Sequence, residues 1–258
     1  MNTVKALAFF MMSLLTAVTS ASPSQDQLQQ LRVSVTDAMT AFYMYNGLEA
    51  DVKYAARMDR NIEAAFDALT SITEGGDSDE ETAFIRSLLS DWNTFSTLIA
   101  DNRQDIMTRG YPDIRLVNEM GEACLSMTKE ATRLYKMDGR PAEEEVSLPV
   151  RLSHDLEFQM ADITAQYTGR GTSNLGQVFV GYHTATPKEM AATFEALLNK
   201  FEAVVKEEDK RTIRGIRNKW AFLSRSISNY NENSVPFLVL TYNDRIIAEL
   251  RELTAKYR

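Results

Sequence analysis

Apolar residues recur along most of the chain with the spacing of an amphipathic α-helix. One continuous stripe consists of Phe84, Ile85, Leu88, Leu89, Trp92, Phe95 and Ile99. A second stripe, with alternating steps of three and four residues as in a heptad seam, consists of Ile213, Ile216, Trp220, Leu223 and Ile227. No comparable stretch alternates with a period of two, so the pattern predicts no strand. The chain is therefore expected to have an all-α fold.

The ends of the apolar stripes predict two sets of four helices. The first set spans residues 25–54, 56–72, 79–104 and 112–137, and the second spans residues 151–182, 187–207, 209–231 and 235–258. Ser78 with Glu81, and Thr186 with Glu189, have the spacing of capping boxes and mark two helix starts. Residues 139–150 are acidic, contain prolines and lack an apolar period, which is typical of an interdomain linker.

The two halves of the chain are similar when they are aligned on their tryptophans. The spacing of Trp92, Phe95 and Ile99 matches that of Trp220, Leu223 and Ile227. An apolar-Glu-Ala step precedes each tryptophan, at residues 62–64 and 201–203, and both halves end in an apolar helix that carries a tyrosine. This repeat predicts two tandem up-down four-helix bundles, residues 22–138 and 151–258, with both Trp rings in the cores. The alternative is that any two amphipathic helical stretches look alike.

The amino terminus has the features of a secretory signal peptide. Lys5 supplies positive charge, Ala6–Val18 contains no charged residue, and Thr19-Ser20-Ala21 suits a cleavage site. The uncharged run is 13 residues long. As a helix it spans about 20 Å, short of the roughly 30 Å of a bilayer core. Residues 1–21 are therefore predicted to be removed near Ala21 and the mature protein to be periplasmic, with an uncleaved membrane anchor as the alternative.

Composition narrows the classes of function. The 258-residue chain has a net charge of −8, one Cys and two His. The acidic balance argues against a nucleic-acid partner, which would need clustered Lys and Arg. A single Cys excludes an intramolecular disulfide and a Cys-rich zinc site. Cys124 falls in a helical pattern and is predicted to be a small buried hydrophobe.

Candidate catalytic and cofactor-binding residues are sparse. The sequence lacks G-x-S-x-G, and Ser153, His154 and Asp155 are contiguous, so their side chains should diverge on a helix rather than form a triad. His154 with a Met could in principle hold a b-type haem, but Met more often fills a core. A di-iron site would need Glu-x-x-His on two helices, and the sequence has none. We therefore expect no enzymatic activity, no metal and no cofactor.

The chain resembles the PilJ-type domain, the periplasmic helical sensor module of type IV pilus methyl-accepting chemotaxis transducers, and is similar to the nitrate/nitrite sensor input domain of NarX. The resembling segments are residues 41–47, 55–66, the Trp92 helix and residues 130–135, followed by about Thr193 through Trp220 to Tyr257. The resemblance implies a helical-bundle sensor that binds a small anion or metabolite. It also implies a membrane receptor or pilus-system protein as partner, and a homodimer.

The chain departs from this family at the ligand signature. The family's first helix carries Ala-Gly-Arg-Gln-Arg-Met-Leu-Ser-Gln-Arg, whose arginines hold the anion at a subunit interface in nitrate sensors, and residues 31–39 lack it. The second half retains only Gly169-Arg170, which nominates Arg170 and Gly169 as ligand contacts, although an isolated Arg is more often a solvated or ion-paired residue. Nitrate sensing and signalling through a membrane helix therefore do not carry over. We expect a soluble binding module, with a structural or protein-interaction bundle that binds no small molecule as the alternative.

Overall fold

The computed structural model describes residues 24–74, 79–137, 145–171, 185–228 and 235–258. Of these residues 90% are helical and none is in a strand, so the all-α prediction is confirmed. The helices are α1 Gln25–Gly47, α2 Val52–Thr73, α3 Asp79–Arg109, α4 Ile114–Lys136, α5 Leu148–Gly171, α6 Pro187–Val204, α7 Lys210–Ser228 and α8 Pro236–Tyr257. The predicted signal peptide lies outside this part of the chain. Within it, no helix combines the length and the apolar character that crossing a membrane requires.

Local capping chemistry sets the helix starts. The capping box predicted at Thr186 is present, because the Thr186 hydroxyl accepts a hydrogen bond from the Glu189 amide at 3.2 Å and the Glu189 carboxylate accepts one from the Thr186 amide at 2.7 Å. Ser24 and Gln27 form a second capping box at the start of α1. Both boxes satisfy backbone N–H groups that would otherwise lack a partner in the first turn.

The first predicted helix, residues 25–54, is wrong at its C-terminal end, because α1 ends at Gly47. Glu49 and Ala50 have positive φ angles of 52° and 65°, which an α-helix cannot accommodate. Asp51 then starts α2 by accepting a hydrogen bond from the Lys53 amide at 2.8 Å. The Asn46-Gly47 pair just before this turn is a common turn signal, but the apolar pattern alone does not show where the helix ends.

The start of the fifth helix, predicted at residue 151, is also displaced. Helix α5 begins at Leu148, so the last residues of the 139–150 segment belong to its first turn, where Pro149 is tolerated because that turn needs no N–H donor. Residues 138–144 lie outside the described part of the chain, as do residues 172–182 and 229–231 of two other predicted helices.

The core consists of two hydrophobic clusters. One is built from α1–α4 and the other from α5–α8, and each includes one residue from the other half. Trp92 is buried in the first cluster, where its ring centroid lies 6.0 Å from that of Phe66, and Trp220 is buried in the second, 4.2 Å from Phe194. Each tryptophan therefore packs on an aromatic ring of the preceding helix.

The burial patterns of the two halves coincide helix by helix. In α3 the buried positions Ile85, Leu88, Trp92, Phe95 and Ile99 repeat the spacing of Ile213, Ile216, Trp220, Leu223 and Ile227 in α7. In α4 the positions Met120, Gly121, Cys124, Met127, Thr128, Ala131, Leu134 and Tyr135 repeat that of Val239, Leu240, Asn243, Ile246, Ile247, Leu250, Leu253 and Thr254 in α8. Tyr135 therefore corresponds to Thr254 and not, as the sequence match suggested, to Tyr257.

The upstream match between residues 62–64 and 201–203 is also displaced. The buried residues Ala65, Leu69 and Ile72 of α2 repeat the spacing of Phe194, Leu198 and Phe201 of α6. This register makes Ile72, not Ile62, the counterpart of Phe201. Short apolar-Glu-Ala steps recur by chance on amphipathic helices, whereas burial records which face each helix turns to the core.

Helices α1 and α5 lie at the centre of the molecule, side by side. Helix α1 contacts α2, α4 and α5, while α5 contacts α1, α6 and α8. Every residue from Leu31 to Tyr45 is buried, as is every residue from Ile163 to Gly169. The two helices run parallel, because the hydrogen bonds between them join residues that lie at similar distances from the two N-termini, Gln29 with His154 and Arg32 with Asp155. A helix buried on all sides shows no single apolar stripe.

Candidate functional site

A cavity of about 270 Å³ lies where the two halves meet near the N-termini of α1 and α5 and the C-terminus of α8. We call it the interhalf pocket. It is lined by Asp26, Gln29, Gln30, Val33, His154, Glu157, Arg251, Thr254, Ala255 and Arg258. Most of these side chains are polar or charged. Convergent polar groups in a preformed concavity are typical of a ligand site.

Two ion pairs join α8 to the other walls of the pocket. The Arg251 Nε donates a hydrogen bond to the Glu157 carboxylate at 3.1 Å, and the Arg258 Nη2 lies 2.9 Å from the Asp26 carboxylate. Both guanidinium groups are half-exposed, whereas Glu157 is only 3% exposed. Burial raises the pKa of Glu157, and the charge of Arg251 opposes that shift. The Arg251 cation at the mouth of the pocket thus offsets part of the cost of burying the Glu157 carboxylate.

His154 forms an uncharged wall of the pocket. Its ring is 2% exposed, with Nδ1 3.0 Å from the Tyr135 hydroxyl and Nε2 3.7 Å from the Asp26 carboxylate. Burial, followed by the charge of Arg32, lowers the pKa of His154 to about 3. The ring is therefore neutral at pH 7 and shares a hydrogen bond with the Tyr135 hydroxyl through Nδ1.

Arg32 is buried directly behind the pocket. Its guanidinium is 1% exposed and lies between the rings of Tyr135 and Phe158, at 4.5 and 4.9 Å from their centroids. Its Nε donates to the Gln29 amide oxygen at 2.6 Å, and its Nη2 donates to the Asp155 carboxylate at 3.3 Å. This one cation connects α1, α4 and α5 through two ring stacks and an ion pair.

Two glutamines of α1 fix its register against the neighbouring helices. The Gln29 side-chain N–H donates to the His154 carbonyl at 3.0 Å. The Gln25 side-chain N–H donates to the Tyr135 carbonyl at 3.0 Å, and its oxygen accepts from the Val146 amide at 2.9 Å. Backbone groups near the end of α4 and the start of α5 are therefore satisfied by α1.

The contiguous Ser153, His154 and Asp155 do not form a triad. The Ser153 hydroxyl donates to the Leu250 carbonyl at 3.1 Å, while Asp155 pairs with Arg32. The three side chains point to different neighbours, as predicted for adjacent residues on one helix.

A second charged cluster joins the halves further along α1. Arg57 of α2 makes two hydrogen bonds to Asp244 of α8, at 2.6 and 2.8 Å, and its Nη2 lies 3.9 Å from the Asp37 carboxylate. Burial raises the pKa of Asp37 to about 6, against the opposing charge of Arg57. The Arg57 guanidinium thus lies next to two carboxylates, one from each half of the chain.

The residues nominated from the family resemblance lie elsewhere. Gly169 is buried and Arg170 half-buried in the last turn of α5. At a rise of 1.5 Å per residue, Arg170 is about 24 Å along the helix from His154, so neither residue reaches the interhalf pocket. Their role in ligand binding stays a prediction. His183, the second histidine, lies outside the described residues.

Metal and thiol chemistry find no support in the described residues. Among them, no three His, Cys, Asp or Glu side chains lie together as a metal site requires. Cys124 is buried, as predicted, and burial raises its pKa to about 12, so it is a protonated thiol at neutral pH.

His154 is the pocket residue that drew attention in the sequence, and it did so for the wrong chemistry. For the pocket residues Gln29 and Glu157, a signal exists in the match between the two halves of the chain. When the buried positions of α1 and α5 are aligned, Gln29 falls at the position equivalent to His154, and Arg32 at the position equivalent to Glu157. Polar residues at matching buried positions of two helices that pack together indicate a polar contact between those helices.

Comparison with known proteins adds no family to this geometry. No protein-family model, no curated protein and no solved structure matches the chain. The interhalf pocket and the charges around it are therefore the basis for assigning a function.

Proposed function

We propose that this chain is a non-catalytic, sensor-like binding module that holds a small polar ligand in the interhalf pocket. The observation that carries the proposal is the pocket itself, a polar concavity of about 270 Å³ that three helices from both halves build together. A purely structural bundle would fill this junction with apolar side chains. Instead, the junction contains the buried polar residues Gln29, His154 and Glu157.

The architecture that we propose is a tandem pair of up-down four-helix bundles, residues 22–138 and 151–258. Two separate apolar clusters and the matching burial patterns support it. In this arrangement α1 and α5 are equivalent first helices, and the pocket lies at the junction between bundles. The PilJ-type resemblance implies a ligand site between bundles as well, since the related nitrate sensors bind at a subunit interface.

A ligand in this pocket would bridge α1, α5 and α8 and so bias how the halves pack. The partner that we propose to detect this bias is a membrane receptor or pilus-system protein, the class that the resemblance implies. Export to the periplasm, which rests on residues 1–21, belongs to the same proposal.

The competing function is a protein-interaction bundle. It is favoured by exposed apolar side chains where α2 and α8 begin, with Val52 80% and Phe237 59% exposed. The Lys53 ammonium lies 5.2 Å from the centroid of the Phe237 ring, which brings the two helix starts together. Exposed apolar groups of this kind are common at protein interfaces.

A thermal-shift screen of the purified protein against small anions, amino acids and metabolites tests the binding function. A ligand specific for the folded state stabilises it by about 2.7 kcal/mol at a hundredfold excess over Kd. We expect a concentration-dependent rise in Tm that Arg251→Ala abolishes. The matched control is Arg115→Ala, which removes an arginine from an exposed ion pair with Glu119. Absence of any shift would favour the protein-interaction bundle.

A further inference from the structure

The charges of the interhalf pocket are balanced, and this balance restricts the ligand. Two carboxylates, Asp26 and Glu157, face two guanidinium groups, Arg258 and Arg251. Arg251 lies on α8 and Arg258 directly follows its last residue, Tyr257, so both arginines reach the pocket from the C-terminal end of α8. The carboxylates come from α1 and α5. One wall of the pocket is therefore cationic and the opposing walls are anionic.

The uncharged polar groups of the pocket are already engaged within the protein. The Gln29 amide bonds to His154 and Arg32, and the Gln30 amide donates to the Ser34 hydroxyl at 3.0 Å. The Thr254 hydroxyl donates to Ser153 at 2.7 Å. A ligand would therefore bind chiefly by exchanging partners with the four charged groups.

We infer that the interhalf pocket binds a small zwitterion, a molecule of amino-acid size that carries both a carboxylate and an ammonium group. This inference rests on the proposed binding function. The ligand carboxylate would accept hydrogen bonds from Arg251 and Arg258, and the ammonium would donate to Glu157 and Asp26. Each protein charge would then keep a partner of opposite sign, so no buried charge is left uncompensated.

Ligands with a single charge are disfavoured by the same geometry. An anion that captures Arg251 would leave the Glu157 carboxylate without its cation, which is costly because this carboxylate is only 3% exposed. A cation on Glu157 would displace an arginine that is half-exposed and can turn to solvent, which costs less. The expected order of affinity is zwitterion, then cation, then anion.

The size of the cavity agrees with this class of ligand. At about 270 Å³ it lies just below the range of roughly 300–1,000 Å³ that holds drug-sized molecules. It therefore suits a metabolite with few heavy atoms.

The test is isothermal titration calorimetry of the full chain with the standard amino acids and with 4-aminobutyrate, butyrate and butylamine. We expect at least one zwitterion to bind at least tenfold more tightly than butyrate. Glu157→Gln removes the buried carboxylate and leaves Arg251 without its partner. The affinity of this variant for the zwitterion should therefore fall at least tenfold, and its affinity for butyrate should rise. Arg258→Gln, at the more exposed pair, provides a second variant, and Arg115→Gln is the control.

Two results would overturn the inference that the pocket binds a zwitterion. In one, a mono-anion or a neutral compound of the wider screen binds and Arg251→Ala abolishes it, which leaves the binding module standing with another ligand class. In the other, no compound binds the folded protein, and then the binding function fails as well. Unchanged selectivity in a folded Glu157→Gln variant would also contradict the inference.

Discussion

Helices α3 and α7 repeat their buried positions with apolar residues in both halves, whereas α1 and α5 carry different polar residues at matching positions. Trp92 corresponds to Trp220, but Arg32 corresponds to Glu157 and Gln29 to His154. Helices α3 and α7 make their main contacts with helices of their own half, so the same apolar spacing suits both halves. The central helices pack against each other, and two identical charges at such a contact would repel. Where two repeats pack against each other, the residues at matching positions of the contact therefore have to differ.

Replacing each tryptophan in turn tests whether α3 and α7 contribute similarly to the stability of their halves. We expect Trp220→Ala to lower the free energy of unfolding by about 4 kcal/mol and Trp92→Ala by about 3 kcal/mol. The ring partner of Trp220, Phe194, is fully buried, whereas Phe66, the partner of Trp92, is exposed. Urea denaturation followed by far-UV circular dichroism gives both values.

Phe222→Ala, an exposed aromatic on the helix of Trp220, is the control and should cost less than about 1 kcal/mol. A larger loss for Trp92 than for Trp220 would show that the first half has the more sensitive core.

The central pair is tested by removing its buried cation. Arg32→Ala should lower the free energy of unfolding by about 3 kcal/mol, because Asp155 loses its partner and two rings lose their contact. The exposed control Arg115→Ala should change it by less than about 0.5 kcal/mol.

Arg32→Met separates the two causes, since it keeps apolar volume between the rings and removes the charge. If the Met variant is as stable as the wild type, the ring contacts and not the ion pair hold the junction together.

The smallest expected effect is the pH dependence contributed by His154. Its pKa in the folded protein is about 3, below the ordinary 6.5, so the unfolded chain binds the proton more tightly and folding loses stability as pH falls below 6.5. Between pH 7 and pH 5 the loss should be about 2 kcal/mol. His154→Asn keeps an acceptor for Tyr135 without titrating, and should lack this loss in urea denaturation at the two pH values.

Asp37 acts in the opposite direction over part of this range. Its pKa is raised to about 6 from an ordinary 3.8, so its contribution to stability falls as pH rises between those values. The difference between the His154→Asn variant and the wild type isolates the histidine. A difference that does not change with pH would mean that the pKa of His154 is the same in the folded and the unfolded chain.

The helices were predictable where one face is apolar and the ends carry their own chemistry. The α3 and α7 stripes and the Thr186 capping box depend on residues within one or two turns, so a single sequence contains all that they require. The end of α1 is marked in the sequence only by Asn46-Gly47, because Glu49 and Ala50 after it adopt a left-handed conformation that neither residue type favours.

By itself the sequence determined the all-α class, the eight α-helices of the described residues and the buried faces of the amphipathic ones, since helical periodicity is a local property. Only the tertiary structure decided that α1 and α5 are the central pair, because a helix buried on all sides has no stripe to read. It alone brought Asp26, Glu157 and Arg251 to one pocket. Those residues lie on three helices far apart in the chain, and the interaction of their charges depends on distances that only packing sets.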